Sequence, residues 1–531
     1  MLDVVIRGGT VVDGTGSPRV RADVGVRDGR VVAVANLPDV QAHSVLDATG
    51  LIVTPGFIDI HSHSDFTLLV DPRAQSAIAQ GVTTELVGNC GHGCAPIADP
   101  GLAAFNIYGY SPKVPIDWST MAGYLGRLEA SRPSVNVASL VPNGNLRLAI
   151  LGQQERPARP QELAEMERLL DAALEEGGFG LSTGLESPGE RAITEEEVAA
   201  LCRVVARHGA LYATHTRNKE RLAVEAVEEA TRASESTGVR LQVSHIIPRR
   251  GGAPPDALEH ALAAIDRARE RGLDVAFDIH TRLFGLTNLS AALPLWAMDG
   301  GTEALVARLR DPAARRRMKL HQSLITSFEL GGWDNVQLLD TPNRPDAEGR
   351  SLAELIRPGG DAYDVIFDVL LAEQDEIHRP MCICWSYVED QLAAAAQHPL
   401  CMVASDATTM SPGGPVDGAL LHGAYTWSSW LYRRFVRERQ LLTIEEMVHR
   451  LTALPARQIP LSGRGVLREG AWADIAAFEP EAFRERGTVS QPVALAEGMT
   501  HVLVNGEIAL QDGSFTGRRA GRVLRRGGVE Q

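Results

Sequence analysis

The segment FIDIHSHSD, residues 57–65, places His61 and His63 two positions apart, with Asp59 and Asp65 at the same parity. In an extended chain, side chains at i and i+2 project to one face, so the two imidazoles point together. A paired imidazole at a strand end is half of a metal site, although such pairs also end ordinary polar strands. Four more residues close apolar, strand-like runs and precede a loop. Cys90 ends VTTELVGNC, His215 ends LYATH, His245 ends LQVSH and Asp406 ends CMVASD. Brought to one face, these nitrogen and sulfur ligands with one carboxylate suit one or two Zn²⁺ ions. A two-metal centre needs a bridging ligand. None of the three lysines, Lys113, Lys219 and Lys319, closes an apolar run, whereas the thiolate of Cys90 could bridge or bind one ion tightly. His92 and Cys94 follow in the same Gly-rich turn.

The elements that must position these residues alternate along the chain. Candidate strands are FIDIHSH, VTTELVGNC, VASLVPN, GLSTG, LYATHTR, LQVSHII, VAFDIHT and CMVASDA. Between them lie amphipathic stretches such as PQELAEMERLLDAALEEG, EEEVAALCRVVARHG, RLAVEAVEEATRASESTG and LEHALAAIDRARERG. Strand–helix alternation argues for βα units and a parallel sheet. About eight units fit a (β/α)8 barrel, in which all strand C-termini converge on the face that carries active sites. A doubly wound open sheet is the alternative, disfavoured because no Gly-rich phosphate turn follows an early strand. Residues 1–52 and 464–531 are instead rich in short β runs separated by Gly and Asp, which predicts one discontinuous β-sandwich domain flanking a barrel over 53–463. The less regular stretch of about 286–380 is expected to be an insertion near the barrel mouth.

Composition narrows the partners. The 531 residues carry a net charge of −15, which disfavours nucleic acid and anionic membrane surfaces. No run reaches the roughly 18 to 20 apolar residues of a membrane span. The opening MLDVVIRGG reads as a strand, not a signal peptide, so a cytoplasmic protein is expected. Six cysteines in so long a chain do not read as a disulfide framework.

The motifs PGFIDIHSHSD, QGVTTELVGNCG, GFGLSTGL, YATHTRN, SHI, ASDA and the closing GRGVLREGAWADIAAFEP with VLVNGE resemble the amidohydrolase superfamily. Within it, the chain is most similar to the N-acyl-D-amino-acid deacylase (D-aminoacylase) family, along nearly its whole length. The resemblance implies that Cys90, His215 and His245 hold a tight Zn²⁺ and that His61 and His63 serve a second, weaker position beside the same cysteine. Asp406 matches the residue that takes the proton of the attacking water and returns it to the leaving amine. The implied reaction is metal-dependent hydrolysis of the acyl C–N bond of a small-molecule amide.

Several positions depart from that family's pattern. A lysine expected after the histidine of VSH is replaced by Ile246 and Ile247. A Tyr-Pro-Tyr segment after Asp278 gives way to Ile279, His280 and Thr281, and a tyrosine after the STG turn gives way to Glu186 and Ser187. Gly418, Ala419 and Leu420 stand for a His-Pro-Arg segment, and Pro142-Asn143 for a Gly-His pair. The carboxylate-binding part of the pocket is therefore expected to be rebuilt, with Arg217, Asn143, Ser187, His280 and Arg282 as substrate contacts. Arg217 is preferred as a new carboxylate partner because it directly follows a ligand strand, whereas Arg249 and Arg250 read as solvated loop residues. The altered pocket favours an amide whose amine side is neutral or bulky over a simple N-acetyl-D-amino acid. A cyclic amide or lactone hydrolase is the alternative activity, and a metal-free scaffold the non-enzymatic one. A homo-oligomer is compatible with the sequence.

Overall fold

The computed structural model describes residues 1–321, 332–377, 379–416 and 423–527, so Gly418, Ala419 and Leu420 lie outside the described residues. The β-branched N-terminal runs form β1 (Leu2–Val11), β2 (Val20–Arg27), β3 (Arg30–Ala35), β4 (Ala42–Asp47) and β5 (Ile52–Pro55). Near the other end come β18 (Ile475–Phe478), β19 (Met499–Val504), β20 (Glu507–Gln511) and β21 (Ser514–Phe515). All nine share one sheet, ordered β21-β20-β19-β18-β5-β1-β2-β3, with β4 on β1. The seam between the two chain ends is the antiparallel pair β5–β18, with Val53 opposite Ala477. Val4, Val24, Val26, Val53, Ile475 and Leu503 are buried in its own core.

The intervening runs form β6 (Phe57–Asp59), β7 (Val82–Val87), β8 (Asn136–Ser139), β9 (Val141–Pro142), β10 (Gly180–Gly184), β11 (Leu211–His215), β12 (Arg240–Ser244), β13 (Val275–His280) and β17 (Cys401–Ala404). Pairing is parallel throughout: β6-β7-β8 in one sheet and β9-β10-β11-β12-β13-β17 in the other. Strands β8 and β9 are one strand interrupted at Leu140, whose N–H still bonds the Val87 carbonyl. The cylinder closes where Ser62 bridges Ala407 in parallel and Asp406 N–H donates to the His61 carbonyl at 2.9 Å. Eight parallel strands thus close into a (β/α)8 barrel, and the open-sheet alternative is excluded.

The amphipathic stretches become helices on the barrel's outside, among them Pro160–Glu175, Glu195–Arg207, Ala223–Thr237 and Ala257–Glu270. The Glu195 helix begins in a capping box, Thr194 Oγ1 accepting from Glu197 N–H while Glu197 accepts from Thr194 N–H.

Between β13 and β17 the chain leaves the barrel. Here β14 (Phe284–Asn288), β15 (Val336–Leu339) and β16 (Met381–Trp385) form an antiparallel sheet in the order β14-β16-β15. With the helices Gly301–Arg310 and Ala362–Ala372 it encloses a separate core around Leu338, Ile366, Phe367 and Leu370. This stretch is more regular than its sequence suggests. Because β14 starts four residues after His280, the insertion is rooted at the C-terminal end of a barrel strand.

Candidate metal centre

Every residue singled out at a strand exit lies at the barrel's C-terminal end. Cys90 Sγ is 3.2 Å from His61 Nε2 and 3.4 Å from His245 Nε2, and all three side chains are buried. Asp406 Oδ1 lies 3.5 Å from His61 Nε2 and 3.3 Å from His63 Nε2. Two groups of ligand atoms result, His61–Cys90–His245 and His61–His63–Asp406, with His61 common to both. The His61 ring thus faces both groups.

Three of these residues hold left-handed backbone conformations: Cys90 (φ 54°), His245 (φ 35°) and Asp406 (φ 44°). Such φ values cost non-glycine residues of order 1 to 3 kcal/mol each and persist only where surrounding structure fixes them. For His245 the fixing contacts are visible. Its N–H donates to Asp278 Oδ1 at 2.8 Å, and its carbonyl accepts from Lys219 Nζ, which also donates to the Ser244 carbonyl at 3.3 Å. Burial lowers the Lys219 pKa to about 8. One of the chain's three lysines is thus spent on shaping a strand exit.

Asp278 does more. His61 Nδ1 is 3.2 Å from Asp278 Oδ1, and Gln242 Nε2 donates to Oδ2 at 2.8 Å. A carboxylate can only accept, so His61 presents Nδ1–H to Asp278 and leaves Nε2 for a cation. The sequence offered a signal, an aspartate at a strand end, but not its partner.

The electrostatics favour ligation. Burial opposes ionisation of Cys90, yet His61 and His245 draw its pKa well below the usual thiol value, to the thiolate form that binds metals. Burial likewise opposes ionisation of Asp406, but the bond from His63 and the charges around it hold its carboxyl well below the ordinary range. Among the described residues, His245 Nδ1 and His63 Nδ1 are buried without a hydrogen-bond partner. The donor set of imidazoles, one thiolate and a carboxylate fits a tetrahedral Zn²⁺ site.

His215 sits with its ring 4.5 Å from that of His245, but its Nε2 is 2.7 Å from Glu186 Oε2. Glu186 in turn receives Arg249 Nη1 at 2.9 Å and Nη2 at 2.6 Å. Arg249, read from sequence as a solvated loop residue, is 3% exposed. Arg217, the preferred carboxylate partner, is bound by Glu229 at 2.7 Å and by the Arg191 carbonyl at 2.9 Å, against the helix Ala223–Thr237. Sequence could not separate these arginines, because burial is decided by the loop path and not by distance from a ligand strand. Arg250 stays outside, on Asn335.

Among the other expected substrate contacts, Arg282 donates to Asp406 Oδ2 at 3.0 Å and is buried. His280 is buried 6.4 Å from His245 and 4.9 Å from the Tyr387 ring, and burial holds its pKa well below the usual histidine value. Asn143 donates to Glu190 at 2.7 Å, and Ser187 Oγ lies 3.4 Å from His92 Nε2. Tyr108, unmarked in the sequence, lies 4.7 Å from the His63 ring and 5.1 Å from His92. It comes from a loop without strand periodicity.

The amidohydrolase family's sequence profile matches residues 44–324 and 380–510. This chain belongs to the amidohydrolase family. It is 36% identical to N-acyl-D-glutamate deacylase of Alcaligenes xylosoxydans xylosoxydans, over 99% of this chain and 97% of that one. It is 30% identical to the D-aminoacylase of the same organism, over 99% and 98%. The crystal structure of N-acyl-D-glutamate deacylase from Bordetella bronchiseptica, complexed with zinc and a phosphonate inhibitor, superposes with a TM-score of 0.80 at 33% identity, covering 99% of each chain. This amidohydrolase interrupts the family match at residues 325–379, inside the insertion between β13 and β17.

Proposed function

We propose that this amidohydrolase is a zinc-dependent deacylase that cleaves the acyl C–N bond of N-acylated amines of the D-amino-acid type. The observation that carries it is the Cys90 thiolate shared by His61 and His245, with Asp406 facing the same histidine. Likeness over the full chain to two deacylases, one of which is solved with zinc, supports the same reading. Cys90, His215 and His245 form the tight zinc position in this proposal, with His61 beside them, and His63 and Asp406 mark a weaker second one. A bound Zn²⁺ supplies activation of water and polarisation of a carbonyl. Asp406 accepts the proton of the attacking water at one carboxylate oxygen and delivers it to the departing nitrogen. His280, between His245 and Tyr387, and Tyr108, against His63, are the rings next to the ligands and are proposed to orient the acyl group and amine.

The substrate's amine side is proposed to be neutral or bulky. Lys219, Arg249 and Arg282, the described cations nearest the ligands, already face protein oxygens. A free carboxylate entering here would lose its water without a ready cation, a cost of several kcal/mol. Two further readings belong to the proposal. Residues 1–52 and 464–531 act as one flanking β domain of the barrel over 53–463, supported by the β5–β18 pairing. The protein works in the cytoplasm on a small molecule, consistent with the lack of any helix among the described residues long and apolar enough to cross a membrane.

The test is a screen of purified, zinc-analysed protein against N-acyl-D- and N-acyl-L-amino acids, their neutral amides, cyclic amides and lactones. Turnover of N-acyl-D substrates is expected, with N-acetyl-D-leucinamide preferred over N-acetyl-D-leucine. Hydrolysis confined to cyclic amides or lactones overturns the deacylase reading, and a protein without stoichiometric zinc overturns the enzymatic one. A kcat/KM near 10⁴ M⁻¹s⁻¹ or above on the free acid, within the ordinary range for good substrates, rejects the neutral-amine preference alone.

A further inference from the structure

Behind the proposed ligand His215 lies a buried charge network to which the proposed reaction assigns no role. It runs from His215 through Glu186 to Arg249, and on to Glu220, 3.7 Å from Arg249. Glu186 follows the exit of β10 and His215 ends β11, so their neighbourhood is fixed by the pairing of Gly184 with His215. Glu186 is held from two sides. Its Oε2 takes both His215 Nε2 at 2.7 Å and Arg249 Nη2 at 2.6 Å, while its Oε1 takes Arg249 Nη1 at 2.9 Å. The Glu186 and Arg249 side chains are only 8% and 3% exposed.

An imidazole whose Nε2–H is donated to a carboxylate has one nitrogen left for a cation, Nδ1. The His215 ring lies 4.5 Å from that of His245, whose Nε2 is 3.4 Å from Cys90 Sγ, so the ring stands beside the Cys90 position. Resting on the zinc reading above, we propose that Glu186, locked by the two-pronged Arg249 contact, is a positioning residue that fixes the His215 ring so that Nδ1 serves the Cys90 metal position. A carboxylate behind a ligating histidine fixes its tautomer and raises its basicity, and loss of such a partner typically weakens metal binding about 10- to 100-fold. The arginine is needed because a buried carboxylate without a charged partner is costly. Arg249 meets both oxygens of Glu186, so the buried carboxylate is paired on the side away from His215.

The readout is metal affinity, with no substrate present. Zinc dissociation constants by chelator competition, and absorption spectra of the Co²⁺-substituted protein, are to be compared for wild type, Glu186→Gln, Glu186→Ala and the double variant Glu186→Ala/Arg249→Met. Thermal unfolding of each metal-free protein serves as the fold control. Glu186→Ala is expected to bind zinc about 10- to 100-fold more weakly. Its Co²⁺ ligand-field bands should shift, and Glu186→Gln, which keeps an acceptor but loses the charge, should fall between it and wild type. The double variant also removes the buried arginine that has lost its Glu186 contact, so it stands in if Glu186→Ala fails to fold, and it should remain as weak as the single alanine. Wild-type zinc affinity and Co²⁺ spectrum in a folded Glu186 variant overturn the inference, as does wild-type affinity in the double variant. In those cases zinc binding by the wild type leaves the deacylase reading intact. A wild type that binds no zinc overturns both.

Discussion

Arg282 divides the carboxylate of Asp406: its Nη2 donates to Oδ2 at 3.0 Å, leaving Oδ1 directed at His61 and His63. The same guanidinium donates from Nη1 to the Ser405 carbonyl at 2.6 Å and from Nη2 to the Asp406 carbonyl at 2.8 Å, so it clamps backbone and side chain together. This matters because the Asp406 backbone is itself in a left-handed conformation that needs holding. The clamp has room only because residue 423 is glycine. A methyl group there would overlap Arg282 Nη1.

The first prediction follows from that space. Gly423→Ala, far smaller than a change at the carboxylate, should push the guanidinium off Asp406 and lower kcat. Misplacing a reacting group by about 1 Å can cost about 10²-fold, and Arg282→Met should behave alike. Both variants should retain zinc. A Gly423→Ala enzyme with wild-type kcat would show that the guanidinium does not orient the base.

Asp406→Asn tests the base directly. The amide oxygen can still accept from Arg282, so the geometry should survive, but it cannot take a water proton. Turnover should fall by roughly 10²- to 10⁴-fold with the tight zinc retained. Near-normal kcat on an N-acyl-D substrate would assign proton transfer to another group.

Cys90→Ala and His245→Ala address the metal. Cys90 is the one thiolate beside the histidines and touches both His61 and His245, so either substitution should remove tight zinc binding. Elemental analysis after gel filtration in a mild chelator reads this out. Zinc retained at wild-type stoichiometry in both variants would place the ion elsewhere.

How much of this was legible in the sequence depended on periodicity. The strand-end residues His61, Cys90, His215, His245 and Asp406 could be named because each closes an apolar run, and the barrel's topology then brings such ends together. The repeated strand–helix rhythm likewise pointed to the closed barrel. What stayed hidden was set by loops. Whether Arg217 or Arg249 turned inward depended on where Glu229 and Glu186 lay in space, and neither spacing nor composition encodes that. Asp278 could be seen as a strand-end aspartate, but its grip on His61, Gln242 and the His245 backbone exists only once three strands are side by side. Tyr108 and the insertion's own core were invisible for the same reason.

The last prediction concerns Glu190, buried at 2% exposure beneath the Gly91 turn. It accepts from Asn143 Nδ2 at 2.7 Å. Burial raises its pKa from 4.5 to about 7, against the bond from Asn143. The sign is that of an acid whose folded-state pKa exceeds its unfolded value. Between these values the folded chain holds the proton and the unfolded chain releases it, so this contribution is full below pH 4.5 and lost as pH rises through about 7. The loss is on the order of 3 kcal/mol across that window, at about 1.4 kcal/mol per pH unit. Glu190→Gln keeps an oxygen for Asn143 and cannot ionise. Urea midpoints of the zinc-loaded wild type and Glu190→Gln should therefore diverge from pH 5 to pH 8, with the glutamine variant gaining relative stability as pH rises. A difference between the two that stays constant across this range would mean that Glu190 is already ionised in the folded protein at pH 5, and that the Asn143 bond outweighs its burial.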